Sequence, residues 1–202
     1  MIEIIKDYNQ GSEEWFQAKT GVVGASTVSK IITSTGKRST QRKAFLYQIA
    51  GERISGRRTE TYSNGYMQAG IEKEEDSRRL FEFIQGVEVE EAALILPHRD
   101  AYWGCSPDGI IKDKEEGLEL KNVIPGTQAK YLHKGVLPTE YKLQCQFSLA
   151  VTGWEVWWFM SNCDGMKPLI VKVKRDEEFI KLIKAEVNIF LREVDELIKE
   201  IS

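Results

Sequence analysis

The pattern of apolar and polar positions divides the chain into a helical first part and a second part built around strands. Ser12 followed by Glu13 and Glu14 predicts an N-cap with acids in the first turn, leading into Trp15-Phe16. Gly24-Ala25-Ser26 is expected to open a second short helix running through Ile32. A third helix is predicted over 41–54, where Phe45, Ile49 and Ile54 recur at near-helical spacing. A longer one covers 66–84, with Gly86 as the C-cap residue. The period then changes. Segments 87–96, 102–105 and 109–111 predict strands, and 118–122 follows after the turn-forming Asp113-Lys114-Glu115-Glu116-Gly117. A helix over 139–152 is closed by Gly153. Strands over 154–161 and 169–174 are joined by Asp164-Gly165, and Asp176 caps a long last helix. Its apolar series Phe179, Ile183, Val187, Phe190, Val194, Leu197, Ile201 predicts packing on the sheet rather than a coiled coil. This order predicts an α/β (α+β-like) fold with a central mixed β-sheet flanked by helices, in a single domain with a helical part at 1–86 and the sheet and its helices at 87–202.

At 202 residues the chain is long enough to bury one continuous core without covalent or metal staples. Cys105, Cys145 and Cys163 stand far apart, with no C-x-x-C and only two histidines, which argues against a zinc site, an iron–sulfur cluster or a disulfide framework and suits a reducing cytoplasm. His98 and His133 are isolated and carry no assigned role. No apolar run approaches membrane-spanning length, and the N-terminus lacks a signal-like core, so neither export nor a membrane is expected. The net charge of −3 conceals a local asymmetry. Between Gly36 and Arg58, seven basic residues (Lys37, Arg38, Arg42, Lys43, Arg53, Arg57, Arg58) face one acid, Glu52. Local fields steer a polyanion, so this segment is a candidate DNA-facing surface; a solvated helix and loop is the alternative.

The clearest chemical signal is Leu118-Glu119-Leu120-Lys121. On a strand the two leucines turn into a core and aim Glu119 and Lys121 together at the opposite face. Upstream, Ser106-Pro107-Asp108-Gly109 is a tight turn presenting a carboxylate at a strand end. Pairing through the 113–117 turn would bring Asp108 towards Glu119. Two carboxylates are hard oxygen ligands suited to Mg²⁺, which activates water and polarises a phosphate, while Lys121 would orient that water and offset developing charge. Glu74, in Gly70-x-x-x-Glu74 on the preceding helix, is a candidate further acid. Gln144 lies at the edge of the buried stripe formed by Leu143, Phe147, Ala150 and Val151. The five tryptophans read mainly as packing residues, with Trp154 and Trp158 expected to point the same way, and Trp15 is the one placed to matter for function.

With these residues assembled, the chain resembles the lambda-exonuclease-like, YqaJ-type viral recombinase nucleases, a branch of the PD-(D/E)xK superfamily. The matching residues run in order: Trp15-Phe16-Gln17-Ala18-Lys19-Thr20-Gly21, Ala25-Ser26, Gly70-x-x-x-Glu74, Leu80-Phe81-Glu82-Phe83, Ser106-Pro107-Asp108-Gly109, Leu118-Glu119-Leu120-Lys121 and Gln144-x-Gln146. The resemblance covers roughly residues 10–165. It implies two Mg²⁺ ions, with Mn²⁺ as a substitute, and 5′→3′ digestion of linear double-stranded DNA from its ends. It also implies a homotrimer ring around DNA and a single-strand-annealing protein as partner in phage-type recombination. Carried over position by position, Asp108 and Glu119 become metal ligands with the Leu120 carbonyl assisting, Lys121 the catalytic lysine, and Glu74 and Gln144 accessory residues. Lys19 and Ser26 match the pocket for a 5′-phosphate. The family has arginine where this chain has Lys19, and lysine lacks the bidentate fork. The expected helix opening at Gly24-Ala25-Ser26 would turn amides towards that phosphate. A further basic contact falls to Lys37 or Arg38, and Arg42 and Lys43 extend the DNA-facing surface. Two rival functions share these residues: a structure-specific endonuclease with the same metal site, and a catalytically silent DNA-binding recombination protein.

Overall fold

Leu118 and Leu120 need a cover on one side of their strand and Glu119 needs one on the other; the fold supplies both. The computed structural model describes residues 1–59 and 66–202, with side chains from 73 onward in the second stretch. Its elements in chain order are β1 (Glu3–Ile5), α1 (Glu13–Ala18), β2 (Val23–Gly24), α2 (Arg42–Ser55), α3 (Tyr66–Gln85), β3 (Val89–Glu90), β4 (Leu94–Leu96), β5 (Trp103–Gly104), β6 (Gly109–Ile111), β7 (Glu116–Asn122), α4 (Pro125–Lys134), α5 (Thr139–Thr152), β8 (Val156–Asn162), β9 (Leu169–Lys174) and α6 (Glu177–Ile201). A five-stranded sheet has the order β3-β6-β7-β8-β9. Within this sheet only β7 and β8 are parallel, and α4 and α5 form the crossover that a parallel pair requires. The sheet is therefore mixed, as the order of elements predicts.

Each face of β7 has its own cover. On one, Phe81 of α3 packs with Ile111, Leu118, Leu120 and Met160. On the other, α5 brings Leu143 and Phe147 into a larger core with Trp157, Phe159 and Val173. Gly117 is on this second face and leaves room for the fully buried Trp157: a Cβ there would lie 2.3 Å from the indole. The last helix packs mainly on α2 and α5 rather than on the sheet. Phe190 stacks on Phe45 at 5.4 Å, and Glu186, Glu193 and Asp195 pair with Arg38, Arg42 and Arg53 of the α2 region.

Several local expectations are corrected. No α-helix opens at Gly24-Ala25-Ser26. Gly24 ends β2, its amide donates to Thr27 Oγ1 at 3.0 Å, and only a single 3₁₀ turn, Val28–Lys30, follows. The 87–96 segment is two strands in different sheets, because the chain leaves β6 after Glu90 and pairs β4 with the N-terminal β1. β1 and α4 had not been expected. Trp154 precedes β8, so it escapes strand alternation and stacks on Trp157, 6.1 Å away, while Trp158 turns to Phe81 on the opposite face. Among the described residues no helix is long and apolar enough to cross a membrane.

The close approach at Gly117 makes a stability prediction. Gly117→Ala should destabilise the protein by roughly 1–3 kcal/mol through overpacking against Trp157, read as a lower denaturation midpoint in urea. An unchanged midpoint would mean that the indole can move aside.

Candidate active site

The turn after β6 is short, so the β6–β7 register decides what Asp108 meets. Gly109 is opposite Leu118, and the Asp108 amide donates to the Leu118 carbonyl at 3.0 Å. The next bond is made by the side chain: Asp108 Oδ2 accepts from the Leu120 amide at 2.6 Å. Asp108 is thereby held beside Glu119, whose side chain projects from the face of β7 under α5 and is only 2% exposed. Glu119 Oε1 accepts from Gln144 Nε2 of α5 at 2.6 Å and is ion-paired with Lys121. Lys121 in turn lies over the Tyr141 ring at 5.7 Å. Gln144, at the edge of the helix stripe, is thus directed inward, while Gln146 fastens α5 to Lys174 and Asp176 at the end of β9.

Glu74 of α3 shares a cleft of about 580 Å³ with Asp108. Trp15, Gln10 and Arg78 also line this cleft, and Gln10 secures its floor by donating to the Pro107 carbonyl at 2.7 Å. Arg78 had no role in the sequence reading, yet its Nε donates to the Asp108 carbonyl at 3.0 Å and its guanidinium lies 3.7 Å from Glu74. The spacing of Glu74 and Arg78, four apart on a helix, was the available signal.

Electrostatics mark the three acids as one group. Burial and then the Asp108 charge push Glu119 up to about 8, and the same two causes push Glu74 up to about 7. Burial also raises Asp108, against the pull of Lys121 and the Leu120 amide. Lys121 is held above its ordinary value by Glu119 and Asp108 despite its burial. Without a cation, Glu119 and Glu74 hold protons near neutral pH. Among the described residues no three His, Cys, Asp or Glu side chains converge closely enough to cage an ion by themselves. The donor set instead suits an ion that keeps much of its water, as Mg²⁺ does. Protein donors occupy Asp108 Oδ2 and Glu119 Oε1, which leaves Asp108 Oδ1 and Glu119 Oε2 as hard oxygen donors. The nearby thiols offer no nucleophile, since burial pushes Cys105 up to about 12 and raises Cys145 well above its ordinary value.

Lys19 lies near this group. Its ammonium is 3.8 Å over the Trp15 ring, whose Nε1 donates to Ala93 O at 2.8 Å and to Ser106 Oγ at 3.1 Å, beside the Pro107-Asp108 turn. Burial and then Arg58 lower Lys19 to about 8, while Asp108 and Glu119 oppose that shift. Ser26 is exposed and has no helix N-terminus behind it, so the dipole expected there is missing. Arg38 and Arg42 are committed to Glu186 and Glu193 of α6, and Arg42 also covers the Phe190 ring at 5.3 Å. These two guanidiniums fasten the last helix. Lys37 and Lys43 are exposed.

The family described as YqaJ-like viral recombinase domain matches residues 14–155. The crystal structure of an alkaline exonuclease (LHK-Exo) from Laribacter hongkongensis superposes with a TM-score of 0.82 at 28% identity, covering 94% of this chain and 96% of that one. The same enzyme in complex with dAMP matches with equal score and coverage at 30% identity. A phage related exonuclease from Haemophilus somnus 129PT has a TM-score of 0.69 at 18% identity over 90% of this chain and 96% of that one, a likeness of fold. No curated protein matches.

Two predictions follow from the charges. Between its ordinary 4.5 and about 8, Glu119 keeps a proton in the folded state that the unfolded chain has released. Stability without divalent ions should therefore be greatest near pH 5 and fall as pH rises towards 8, and Glu119→Gln should flatten that slope in thermal melts with a chelator. Separately, Arg42→Glu should lower the melting temperature by repelling Glu193. Lys43→Glu should leave it unchanged and weaken DNA binding with a shallower salt dependence. Equal melting temperatures for the two variants would refute the structural role given to Arg42.

Proposed function

The chain belongs to the YqaJ-like viral recombinase domain family, and from that premise we propose that it is a magnesium-dependent exonuclease degrading linear double-stranded DNA 5′→3′ from 5′-phosphorylated ends. The observation that carries this reading is the group of Asp108, the buried Glu119 and Lys121 on one β-hairpin, completed by Gln144 from α5. The dAMP complex of the Laribacter exonuclease supports a nucleotide as the product.

Asp108 and Glu119 would hold the metal, with Glu74 and the Leu120 carbonyl assisting; the family resemblance suggests two ions, with Mn²⁺ able to replace Mg²⁺. When bound, such ions lower the pKa of water and polarise the scissile phosphate. The chain's own residues supply the rest. Lys121, kept charged by its two acids, orients the attacking water and neutralises charge that develops on the phosphate. Gln144 fixes the Glu119 carboxylate through Oε1, so the other oxygen has one orientation. Arg78 secures the Asp108 backbone and keeps Glu74 facing the cleft. Lys19, over the Trp15 ring beside the Pro107-Asp108 turn, binds the terminal phosphate. The exposed Ser26 and Lys37, with Lys43, contribute contacts along the duplex. The whole of 1–202 acts as one nuclease domain. A homotrimer ring around the duplex and a single-strand-annealing partner in phage-type recombination belong to the same proposal and rest on family membership.

Asp108→Asn, Glu119→Gln and Lys121→Ala should each lower digestion on the order of 100-fold or more. The assay uses duplexes labelled on either strand, with and without Mg²⁺. Label at the 5′ end should be released first, and a covalently closed circle should resist. Cleavage of the closed circle would favour a structure-specific endonuclease. Absence of any Mg²⁺-dependent cleavage would favour a catalytically silent DNA-binding protein. Mg²⁺ should also raise the melting temperature more at pH 8 than at pH 5, and Asp108→Asn should lose that difference.

A further inference from the structure

Two cations face the same indole. Lys19 Nζ is 3.8 Å from the Trp15 ring centre, and the Arg58 guanidinium carbon is 5.9 Å from that centre and 4.7 Å from the Phe16 ring. The other half-buried arginines of this region differ. Arg42 and Arg53 also leave nitrogens unpaired, but each has its acid on α6. Arg58 has no such acid among the described residues, and its buried Nη1 lacks a hydrogen-bond partner.

The backbone holds the two cations together. Glu52 is 4% exposed and accepts from the Gly21 amide at 3.0 Å, the Thr59 amide at 3.1 Å and Gln48 Nε2 at 2.8 Å. Gly21 is two residues beyond Lys19, and Thr59 is one beyond Arg58. A single buried carboxylate thus fixes both segments, while its oxygens serve amides rather than the cations. The result is a pair of like charges that no carboxylate among the described residues meets in a salt bridge; Asp108 and Glu119 act on Lys19 only from a distance, and Arg58 is the charge that, after burial, most depresses the Lys19 ammonium. Such an arrangement favours an anion between or above the pair.

The anion's class follows from charge and location. Trp15 hydrogen-bonds Ser106, so the pair stands next to the turn that carries Asp108 and borders the cleft into which Glu74 faces. The carboxylates nearby are engaged by the Leu120 amide, Gln144 and Lys121, so an anion for this pair would come from the substrate. A phosphate monoester at a DNA end carries close to two negative charges and three acceptor oxygens, whereas an internal phosphodiester carries one charge. Two cations therefore discriminate an end from the interior better than one does.

We propose that Arg58 joins Lys19 in binding the terminal 5′-phosphate and supplies the planar fork that Lys19 lacks. This assignment rests on the reading of the chain as a 5′-end exonuclease, and it gives Arg58 the place that the sequence had left to Lys37 or Arg38.

Initial rates on duplexes identical except for a 5′-phosphoryl or 5′-hydroxyl end test it, for wild type, Arg58→Ala, Arg58→Lys and Lys19→Ala in Mg²⁺. Fluorescence anisotropy of the same duplexes in Ca²⁺ gives the binding ratio independently of turnover. Arg58→Ala should lower the phosphoryl-to-hydroxyl ratio about tenfold in both measurements, with Arg58→Lys intermediate. If the alanine variant melts below the assay temperature, Arg58→Lys carries the test, and a wild-type ratio in that variant overturns the proposal. A wild-type ratio in a folded Arg58→Ala, with the ratio lost in Lys19→Ala, assigns the phosphate to Lys19 alone and removes Arg58. Equal rates and affinities for both ends in the wild type overturn the whole terminal-phosphate site, although Mg²⁺-dependent digestion would keep the exonuclease reading. Conversely, a binding preference for phosphoryl ends that Arg58→Ala abolishes, without any digestion, supports the Arg58 site and refutes the exonuclease.

Discussion

Everything around the hairpin is constrained by the burial of carboxylates within one another's field. An isolated buried carboxylate is costly, and two that share a site raise each other's affinity for a proton or a cation. Asp108, Glu119 and Glu74 are nevertheless held together, and the means are visible. A backbone amide grips Asp108, α5 lends Gln144 to Glu119, and Arg78 spans Asp108 and Glu74. The surrounding packing must resist the relaxation that would let the acids separate. The parallel pairing of β7 with β8 sets Glu119 beside Phe159, and Trp157 fills the space over Gly117. The core on this face thus serves the site as much as it serves stability.

A second electrostatic system fastens the outer layer. The acids of α6 meet the arginines of the α2 region, with Phe45 stacked on Phe190 between them. The basic character of 36–58 therefore has two meanings. Arg38, Arg42 and Arg53 are counter-charges to α6, Arg38 from an exposed position, while Lys37 and Lys43 face solvent without such a partner among the described residues and Arg58 turns towards Trp15 and Phe16. A linear tally of charge merges these populations because the acids that separate them lie more than 140 positions downstream.

Legibility in the sequence followed the range of the interactions. The hairpin was readable because the leucine–acid alternation and the Pro107-Asp108 turn are local, and the register that brings Asp108 to Leu120 follows from a short connection. The helix over 139–152 and strand 169–174 were readable to the residue from period and caps. α4 was missed although Pro125 at its start and Gly135 at its end are standard boundary signals. The split at Ala92-Ala93 and the pairing of β1 with β4 depend on partners distant in the chain, which no local period encodes. At Ser26 the cap-like sequence misled, because Thr27 makes the turn and the following helix never extends beyond a 3₁₀ turn.

Trp15 connects the two charge systems of the site. Its ring carries the cations, and its Nε1 is tied to Ala93 and Ser106, on either side of the strand connection that presents Asp108. The cations thus lie against an indole whose edge is anchored beside the turn that carries Asp108. Gln10, bonded to both Ala92 and Pro107 carbonyls, stiffens the same wall from the N-terminal side. An enzyme that removes nucleotides from an end must hold that end at a constant distance from the bond it breaks, and precise positioning of this kind governs rate. A rigid aromatic spacer between the pair of cations and the group of acids is a physical means of keeping such a distance constant.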